Sequence, residues 1–475
     1  MQENGLVAIV KRDCPTCVMV APVLQQLEAK GALTVYSQDD PGFPEGMNVA
    51  DDTALDTSYR LDVEIVPTLV RFQDGTEVER TYGWDRAAWE GLTGRDDLGV
   101  DLPAFKPGCG ALNQEQDRLA ELRIRHGDTP MVSRLVPLGA KEDAIEACFE
   151  RGWSDGLPVV PPTQERVLAM LEGTGRAADE VMGLMPSNLD TCTVEKVAIN
   201  AVMAGCRPEY MPVVLAAIEA VLDEDYCLHG TLATTRFVGP VVIVNGPIAK
   251  QIDMNGKGNA LGQGNRANAT IGRAVQLAVR NIGGGKPRGV DRATLGNPGK
   301  LSYCFCEDEE GSAWEPLTVD RGLAAGANAV TVFAGHGLQG VIDDKARTPE
   351  ALAETFASCL RSVDNIKKFP GPDCLLVVCP EHERTFMEGG WDKARVHKEL
   401  MARMQVPAED VIAGTHGMAE GVPAKMAGKT VPKLLPTGLL IVRAGGGAGK
   451  FSGIIAGWTP GTPESSRPVT KEVRT

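Results

Sequence analysis

The chain has 475 residues, enough for about two to three domains of about 150 residues each and for a large buried core. Its net charge of −15 is uneven: residues 1–105 hold 8 Lys and Arg against 19 Asp and Glu, a net charge of −11, which leaves −4 for the remainder. An acidic first part argues against nucleic acid or an anionic membrane as a partner.

Cys14 and Cys17 frame a CxxC motif. It follows the apolar run 6–10, which predicts a strand, and precedes residues 18–30, which predict a helix. A cysteine at a helix start is stabilised as a thiolate by the helix dipole and by free backbone N–H groups. The motif could also be half of a zinc site, but zinc needs a second Cys or His pair at ligand spacing. The next cysteine is Cys109, and the sequence has no second CxxC and no HxxxH, which favours a redox-active disulfide over a metal.

The next informative segment begins at Val66-Pro67-Thr68. It introduces a predicted strand at 68–72, and Asp74-Gly75 predicts a hairpin turn into 77–80. Together with the CxxC motif, this pattern resembles the thioredoxin superfamily over residues 4–98. In that superfamily a cis-proline preceded by an aliphatic residue and followed by Thr packs beside the CxxC pair, and Pro67 matches that position.

The resemblance implies that Cys14 is the attacking thiolate and Cys17 the resolving thiol, with Pro67 shaping a groove for a partner's disulfide. The sequence departs from the family at Asp13, where typical thioredoxins have tryptophan, and in the Pro-Thr dipeptide between the cysteines. Because such residues tune thiol pKa values, the reduction potential and the partner stay open.

Residues 101–140 are predicted to be a linker with a helix, between a first domain at 1–100 and a large domain at 141–475. The run 102–110 is rich in turn residues. Within it, Cys109 is flanked by glycines and is predicted to be flexible and exposed. It is either a resolving or shuttle cysteine between the CxxC and a second site, or an incidental exposed cysteine.

From about residue 141 the sequence alternates helical patterns with short apolar runs. This alternation predicts an α/β domain with a mainly parallel sheet covered on both faces. The predicted strands are 241–244, 302–306, 330–333, 375–378 and 439–442. The segments 239–247 and 371–380 share a Gly-Pro, strand, Pro layout, which would make the domain two similar lobes or would be a chance recurrence of common residues.

Two glycine-rich segments have features of phosphate-binding loops. The segment 444–452 resembles a P-loop but has Ala444 in place of the first glycine and Phe451 in place of Ser or Thr, which argues against an ordinary ATPase. The segment 256–266 opens a predicted helix, and its backbone N–H groups could cradle an anion. Its candidate binding residues are Gly262, Gly264, Arg266 and Asn268; the alternative is a long tight loop.

The densest polar cluster begins at Cys304 and Cys306, which point to the same face of a predicted strand, and continues into the acidic run from Glu307. A thiolate beside a carboxylic acid can attack an electrophilic centre and protonate a leaving group. The alternative is a buried strand that ends in a solvated acidic loop.

Most of residues 145–475 resembles a large bacterial family without an established reaction, related to the UGSC (seleno)proteins. The resemblance rests on the segments 152–163, 193–206 and 267–273. The chain has no counterpart of the Cys-Gly-Ser-Cys form of the namesake motif, so selenocysteine chemistry does not carry over.

These observations predict a two-part enzyme. A thiol-disulfide oxidoreductase module would supply electrons to a cysteine-dependent α/β domain that cleaves a carbon–heteroatom bond in a small molecule, with Cys304 or Cys306 as nucleophile and Glu307 as acid. An organometal lyase of the alkylmercury type and a small-anion binding protein with a redox switch are the alternatives.

The predicted partners are a small-molecule substrate or a protein disulfide, with thioredoxin reductase or a low-molecular-weight thiol as reductant. A homo-oligomer is compatible with the sequence. No apolar run reaches the about 20 residues that span a bilayer, and the start of the chain lacks the basic residues of a secretion signal. We therefore expect a cytoplasmic protein whose cysteines are mostly reduced, without nucleic acid or membrane among its partners.

Overall fold

The computed structural model describes residues 4–29, 31, 33–462 and 465–474. The chain divides into two compact units, Met1–Thr129 and Pro130–Thr475. The first unit therefore includes residues 101–129, which were predicted to belong to a linker. None of the described helices is both long enough and apolar enough to cross a bilayer.

Unit 1 contains nine strands and four α-helices among its described residues. The strands are β1 (Gly5–Val10), β2 (Leu33–Ser37), β3 (Val49–Asp51), β4 (Ile65–Val66), β5 (Thr68–Gln73), β6 (Thr76–Tyr82), β7 (Trp84–Asp85), β8 (Phe105–Lys106) and β9 (Cys109–Gly110). The helices are α1 (Pro15–Glu28), α2 (Asp56–Arg60), α3 (Arg86–Thr93) and α4 (Gln116–His126). The predicted end of the first helix, Lys30, lies outside the described residues.

A five-stranded mixed sheet organises unit 1. Its order is β3-β2-β1-β5-β6, in which β1, β2 and β3 are parallel and β5 and β6 are antiparallel to their neighbours. Helix α1 buries Val20 and Leu24 in the same core as Ile9 of the central strand. Two short antiparallel ladders, β4–β9 and β7–β8, tie residues 105–110 to the unit.

Unit 2 contains eleven strands and eleven α-helices among its described residues. The strands are β10 (Val181–Met185), β11 (Asp190–Thr193), β12 (Gly239–Asn245), β13 (Cys304–Cys306), β14 (Ala329–Ile342), β15 (Cys374–Val378), β16 (Gln405–Pro407), β17 (Thr430–Pro432), β18 (Leu439–Arg443), β19 (Phe451–Gly457) and β20 (Val469–Glu472). The helices are α5 (Ala144–Glu150), α6 (Gln164–Leu171), α7 (Val194–Ala204), α8 (Met211–Leu222), α9 (Leu228–Ala233), α10 (Pro247–Gln251), α11 (Arg266–Asn281), α12 (Leu317–Asp320), α13 (Pro349–Ser362), α14 (Pro380–Glu388) and α15 (Lys393–Arg403).

The central sheet of unit 2 is mixed, so the prediction of a mainly parallel sheet is wrong. Its order is β13-β12-β14-β19-β15-β18, with β20 paired to β14. Only β12–β13 and β15–β18 are parallel pairs, whereas β14 and β19 run antiparallel to their neighbours. Continuous apolar runs indicate burial on both faces, but they do not determine strand direction.

The sheet is curled, which buries both faces of its strands. Along β12, Val241 and Ile243 join an inner core with Leu375 and Val377 of β15. The alternate residues of β12 face an outer core with α7, α8 and α11, and those of β15 face a second outer core with α13, α14 and α15. The period of two along a strand explains this division.

The pattern of parallel and antiparallel pairs is the same from either edge of the sheet. Each end is a parallel pair, and each pair is followed by one of the antiparallel strands β14 and β19. The segments 239–247 and 371–380, which share the Gly-Pro, strand, Pro layout, contain β12 and β15. Each segment ends where the next helix begins, and the two strands occupy equivalent positions in the sheet. We call these two halves of unit 2 its first and second lobe.

Candidate functional site

Cys14 is the residue that caps α1, and its thiol lies at the start of the helix. Its Sγ accepts the backbone N–H of Cys17 at 3.3 Å and lies 3.5 Å from the carbonyl oxygen of Val66. The Val66–Pro67 peptide bond is cis, as the sequence predicts. Cys14 and Cys17 are only 1% and 0% exposed. All twelve cysteines, which lie within the described residues, are free thiols.

The three thiols of unit 1 differ strongly in acidity. The Cys17 thiol, as hydrogen-bond partner, lowers the pKa of Cys14 to about 5, helped by the Cys109 thiol and by backbone N–H groups and opposed by burial. Burial and the neighbouring Cys14 raise the pKa of Cys17 far above its usual range. Burial and the same neighbour also raise the pKa of Cys109. Cys14 is therefore the most acidic of the three thiols.

Cys109 does not lie on a flexible, exposed segment, contrary to prediction. It is half-buried in β9 and pairs with Val66 of β4. Thr16 Oγ1 donates to the carbonyl of Pro107 at 2.7 Å, and Lys11 Nζ donates to the carbonyl of Gly110 at 2.9 Å. We call residues 105–110 the strap. Its contacts join residues that are up to 99 positions apart in sequence, so no local pattern predicts them.

Gly108 makes the close approach of the strap possible. A Cβ at this position would lie 2.3 Å from Cγ2 of Ile65 and 2.6 Å from the carbonyl oxygen of Val66. Gly110, two residues on, has no atom within 4 Å of the corresponding position. The strap therefore reaches the β4 edge only because position 108 lacks a side chain.

Cys304 and Cys306 lie on the same face of β13, as predicted, and both are buried in the first outer core. Burial raises the pKa of Cys304 well above its usual range and that of Cys306 to about 12. Burial also raises the pKa of Glu307, whose Oε2 accepts from Asn245 Nδ2 at 2.7 Å and from the backbone N–H of Leu317 at 2.8 Å. These surroundings keep both thiols protonated and hold the carboxyl group in a structural network.

The polar groups of the predicted anion-binding loop are already hydrogen-bonded to other groups of the protein. Asn268 accepts from the backbone N–H of Asn255, and its amide donates to the carbonyls of Asn255 and Ala260. The N–H of Gly262 donates to the carbonyl of Asn259, and Arg266 Nε donates to the carbonyl of Gly205. Gly264 adopts the left-handed conformation, with φ of 112°. The contacts correspond to the long tight loop that was the alternative prediction.

The sequence interpretation missed a second activated thiol, Cys379, which precedes α14 as its capping residue. Burial opposes its ionisation, but hydrogen bonding and charge from His382, with a contribution from Ser452, lower the pKa of Cys379 overall. The pKa of His382 is correspondingly raised, despite its burial. Ser452 Oγ lies 2.8 Å from His382 Nδ1 and accepts the backbone N–H of Cys379 at 3.0 Å. The sequence signal is a Cys directly after a strand with His three residues later.

A buried ion-pair network lies beside this thiol. Arg443 Nη1 lies 2.6 Å from Asp308 Oδ2, and its Nε lies 2.5 Å from Glu383 Oε2. Ser312 Oγ donates to the second carboxylate oxygen of Glu383 at 2.5 Å. The side chains of the three charged residues are less than 10% exposed. One guanidinium thus compensates two buried carboxylates.

Within the described part of the chain, no group of three or more His, Cys, Asp or Glu side chains could hold a metal ion. No protein-family model matches the sequence, and no curated protein matches it significantly. The resemblances to the thioredoxin superfamily and to the UGSC-related family therefore stay predictions from motifs.

Proposed function

We propose that unit 1 is a thiol-disulfide oxidoreductase in which Cys14 is the attacking thiolate. The observation that carries this proposal is the contrast between Cys14, whose pKa is lowered to about 5, and the buried Cys17 beside it. A thiolate is the nucleophile in disulfide exchange, and a neighbouring thiol is needed to release the product. The cis Val66–Pro67 bond and the central strand β1 leading into α1 support the resemblance to the thioredoxin superfamily.

The exchange proceeds in two displacements. The Cys14 thiolate attacks one sulfur of a partner disulfide, forming a mixed disulfide and releasing the partner's other sulfur as a thiolate. Cys17 then loses its proton and attacks Cys14 Sγ, which releases the second partner thiolate. The partner gains two electrons, and unit 1 ends with a Cys14–Cys17 disulfide that a low-molecular-weight thiol or a reductase can reduce.

Cys109 provides a second route for the release step. Its thiol hydrogen-bonds Cys14, and its strand pairs with Val66 of β4. Attack of Cys109 on Cys14 Sγ would form a Cys14–Cys109 disulfide and release the same partner thiolate. Because Cys109 is half-buried and Cys17 is fully buried, an external thiol would reach a Cys14–Cys109 disulfide more readily than a Cys14–Cys17 disulfide.

We further propose that unit 2 is the electron acceptor and a cysteine-dependent enzyme, for which reductive cleavage of a carbon–heteroatom bond is the candidate reaction. Cys379 is better suited as its reactive thiol than Cys304 or Cys306. Its pKa is lowered by His382, whereas burial raises those of the other two. A cysteine paired with histidine is a common arrangement for an activated nucleophile.

The proposal is tested by insulin reduction with dithiothreitol as the electron source. Wild type should accelerate the reduction, and Cys14→Ser should lose this acceleration, while Cys304→Ala should retain it. Equal rates for wild type and Cys14→Ser would overturn the oxidoreductase assignment.

A second experiment identifies the electron acceptor. In Cys17→Ser, the mixed disulfide formed by Cys14 accumulates and can be mapped by mass spectrometry under non-reducing conditions. Capture of Cys109 supports the internal route, and capture of a unit 2 cysteine supports electron transfer to that unit. Release of an organic group from an organomercury probe, lost in Cys14→Ser, would favour the lyase alternative instead.

A further inference from the structure

Unit 2 contains a cavity of about 570 Å³ that none of the thiols discussed above lines. It is bounded by α9, by one side of α11, by the start of β12 and by the segment 285–301. Gln276 and Arg280 lie one helical turn apart on α11, so both side chains are on the face that lines the cavity.

The cavity has a surplus of positive charge. Asp155 pairs with Arg273 through two contacts of 2.8 Å, and Asp291 pairs with Lys300 at 2.7 Å, so both lining carboxylates are compensated. Arg280 and Arg288 also line the cavity, and neither has a carboxylate partner among the described residues. The lining thus carries two guanidinium groups without a counter-charge.

Two hydrogen-bond donors of the lining are buried and unpartnered. Gln276 Nε2 and Arg280 Nε have no acceptor among the described residues. Buried donors are nearly always satisfied, and each unsatisfied one costs about 1–3 kcal/mol. Gly239 packs closely against the amide, since a Cβ there would lie 3.2 Å from Nε2. The polar groups therefore fit an acceptor that enters from the cavity.

The remaining lining is largely apolar. Leu232, Val279, Leu301 and Pro240 contribute to it. Small-molecule sites typically combine such apolar walls with a few polar groups that fix the ligand's orientation. A ligand that satisfies both parts of this surface has an acidic head group and a short apolar body.

We propose that this cavity binds a small organic anion whose carboxylate or phosphate head is held by Arg280 and Gln276, with Arg288 adding charge. The planar guanidinium fork suits either head group. This site is distinct from the glycine-rich loop at 256–266, and it does not depend on the proposed thiol chemistry.

The test is isothermal titration calorimetry on the full chain at fixed ionic strength. The probes are hexanoate, acetate, inorganic phosphate and hexanamide, which has the apolar body of hexanoate without its charge. Hexanoate should bind more tightly than acetate if the head is a carboxylate, and phosphate should bind more tightly than acetate if it is a phosphate. Hexanamide should bind least.

Arg280→Met should weaken binding of the best probe by at least about tenfold, because it removes a charge-assisted hydrogen bond. Arg266→Met is the matched control at the other end of α11 and should bind like wild type. Gln276→Leu is a milder variant that keeps the test valid if Arg280→Met does not fold. No binding of any of the three anions by wild type, unchanged binding by both cavity variants, or loss of binding only in Arg266→Met would overturn the proposal.

Discussion

Cys109 lies directly opposite Val66 in the antiparallel β4–β9 ladder. The carbonyl oxygen of Val66 is in turn 3.5 Å from Cys14 Sγ. The strap thus pairs with the backbone of β4 next to Pro67, and it places a third thiol beside the CxxC motif. A backbone edge of this kind is also where an extended segment of another protein could pair. The strap and a protein substrate would therefore compete for the same edge.

The first prediction concerns Gly108. Gly108→Ala should displace the strap, because its Cβ would clash with Ile65 and with the carbonyl of Val66. In a Cys17→Ser background oxidised with diamide, the yield of the Cys14–Cys109 disulfide should fall several-fold, as measured by non-reducing peptide mapping. The alkylation rate of Cys14 should rise because the thiol loses its cover. Gly110→Ala is the matched control, since open space surrounds that position. Equal yields in the two variants would contradict the role of the strap.

The second prediction is the pH dependence of Cys14 ionisation. The ultraviolet absorbance of the reduced protein, with the Cys14→Ser spectrum subtracted, should show a thiolate that appears as the pH rises through about 5. Cys17→Ala should move this midpoint upward, because the Cys17 thiol makes the largest contribution to the lowered pKa. Cys109→Ala should move it upward by less. A wild-type midpoint near the ordinary cysteine value would show that the Cys17 and Cys109 thiols do not activate Cys14.

The third prediction concerns Arg443. Arg443→Met leaves Asp308 and Glu383 buried without their common counter-charge, which should lower the free energy of unfolding by about 3–5 kcal/mol. Urea denaturation at neutral pH measures the change. Lys250→Met removes a lysine from an exposed ion pair with Glu310 and should leave stability nearly unchanged. Similar losses of stability in the two variants would mean that burial does not make the Arg443 network more important for stability than an exposed ion pair.

The fourth prediction concerns Asp373. Burial raises its pKa to about 6. The hydrogen bond from the N–H of Gly461 lowers the pKa, but by less than burial raises it. A folded-state pKa above the unfolded value means that the native state binds the proton more tightly, so stability should fall as the pH rises from about 4 to about 6. Asp373→Asn should remove this fall and raise stability at pH 7 by up to about 3 kcal/mol.

Asp343 is the matched control for this measurement. Its pKa is lowered, chiefly through hydrogen bonds from Thr355 and from backbone N–H groups that overcome burial. It should therefore contribute stability that is lost as the pH falls, and Asp343→Asn should destabilise the protein at pH 7. If both variants change stability in the same direction at pH 7, the assigned environment of one carboxyl group is wrong.

Features that depend on local spacing were predictable from the sequence. The common face of Cys304 and Cys306 follows from neighbouring residues alone. The position of Cys14 before a helix follows from an apolar run, a CxxC motif and a helical pattern in succession. Each of these needs only a few residues on either side.

Features that depend on distant partners were not predictable. The direction of β14 and β19 is set by pairing between segments far apart, and an apolar run buries equally well in either direction. The position of Cys109 depends on a ladder to Val66, and the acidity of Cys379 depends in part on Ser452, which is 73 residues away. Such contacts leave no periodic signal in a single sequence.

The strand β14 has a mechanical consequence for unit 2. It is 14 residues long, and its first half pairs with β12 and β20 while its second half pairs with β19. Val332 lies in the outer core of the first lobe and Val341 in that of the second, so one continuous backbone is part of both. Neither lobe can unfold without breaking hydrogen bonds of a strand that is also part of the other lobe. Unit 2 should therefore unfold as a single cooperative block, despite having two helix-covered cores.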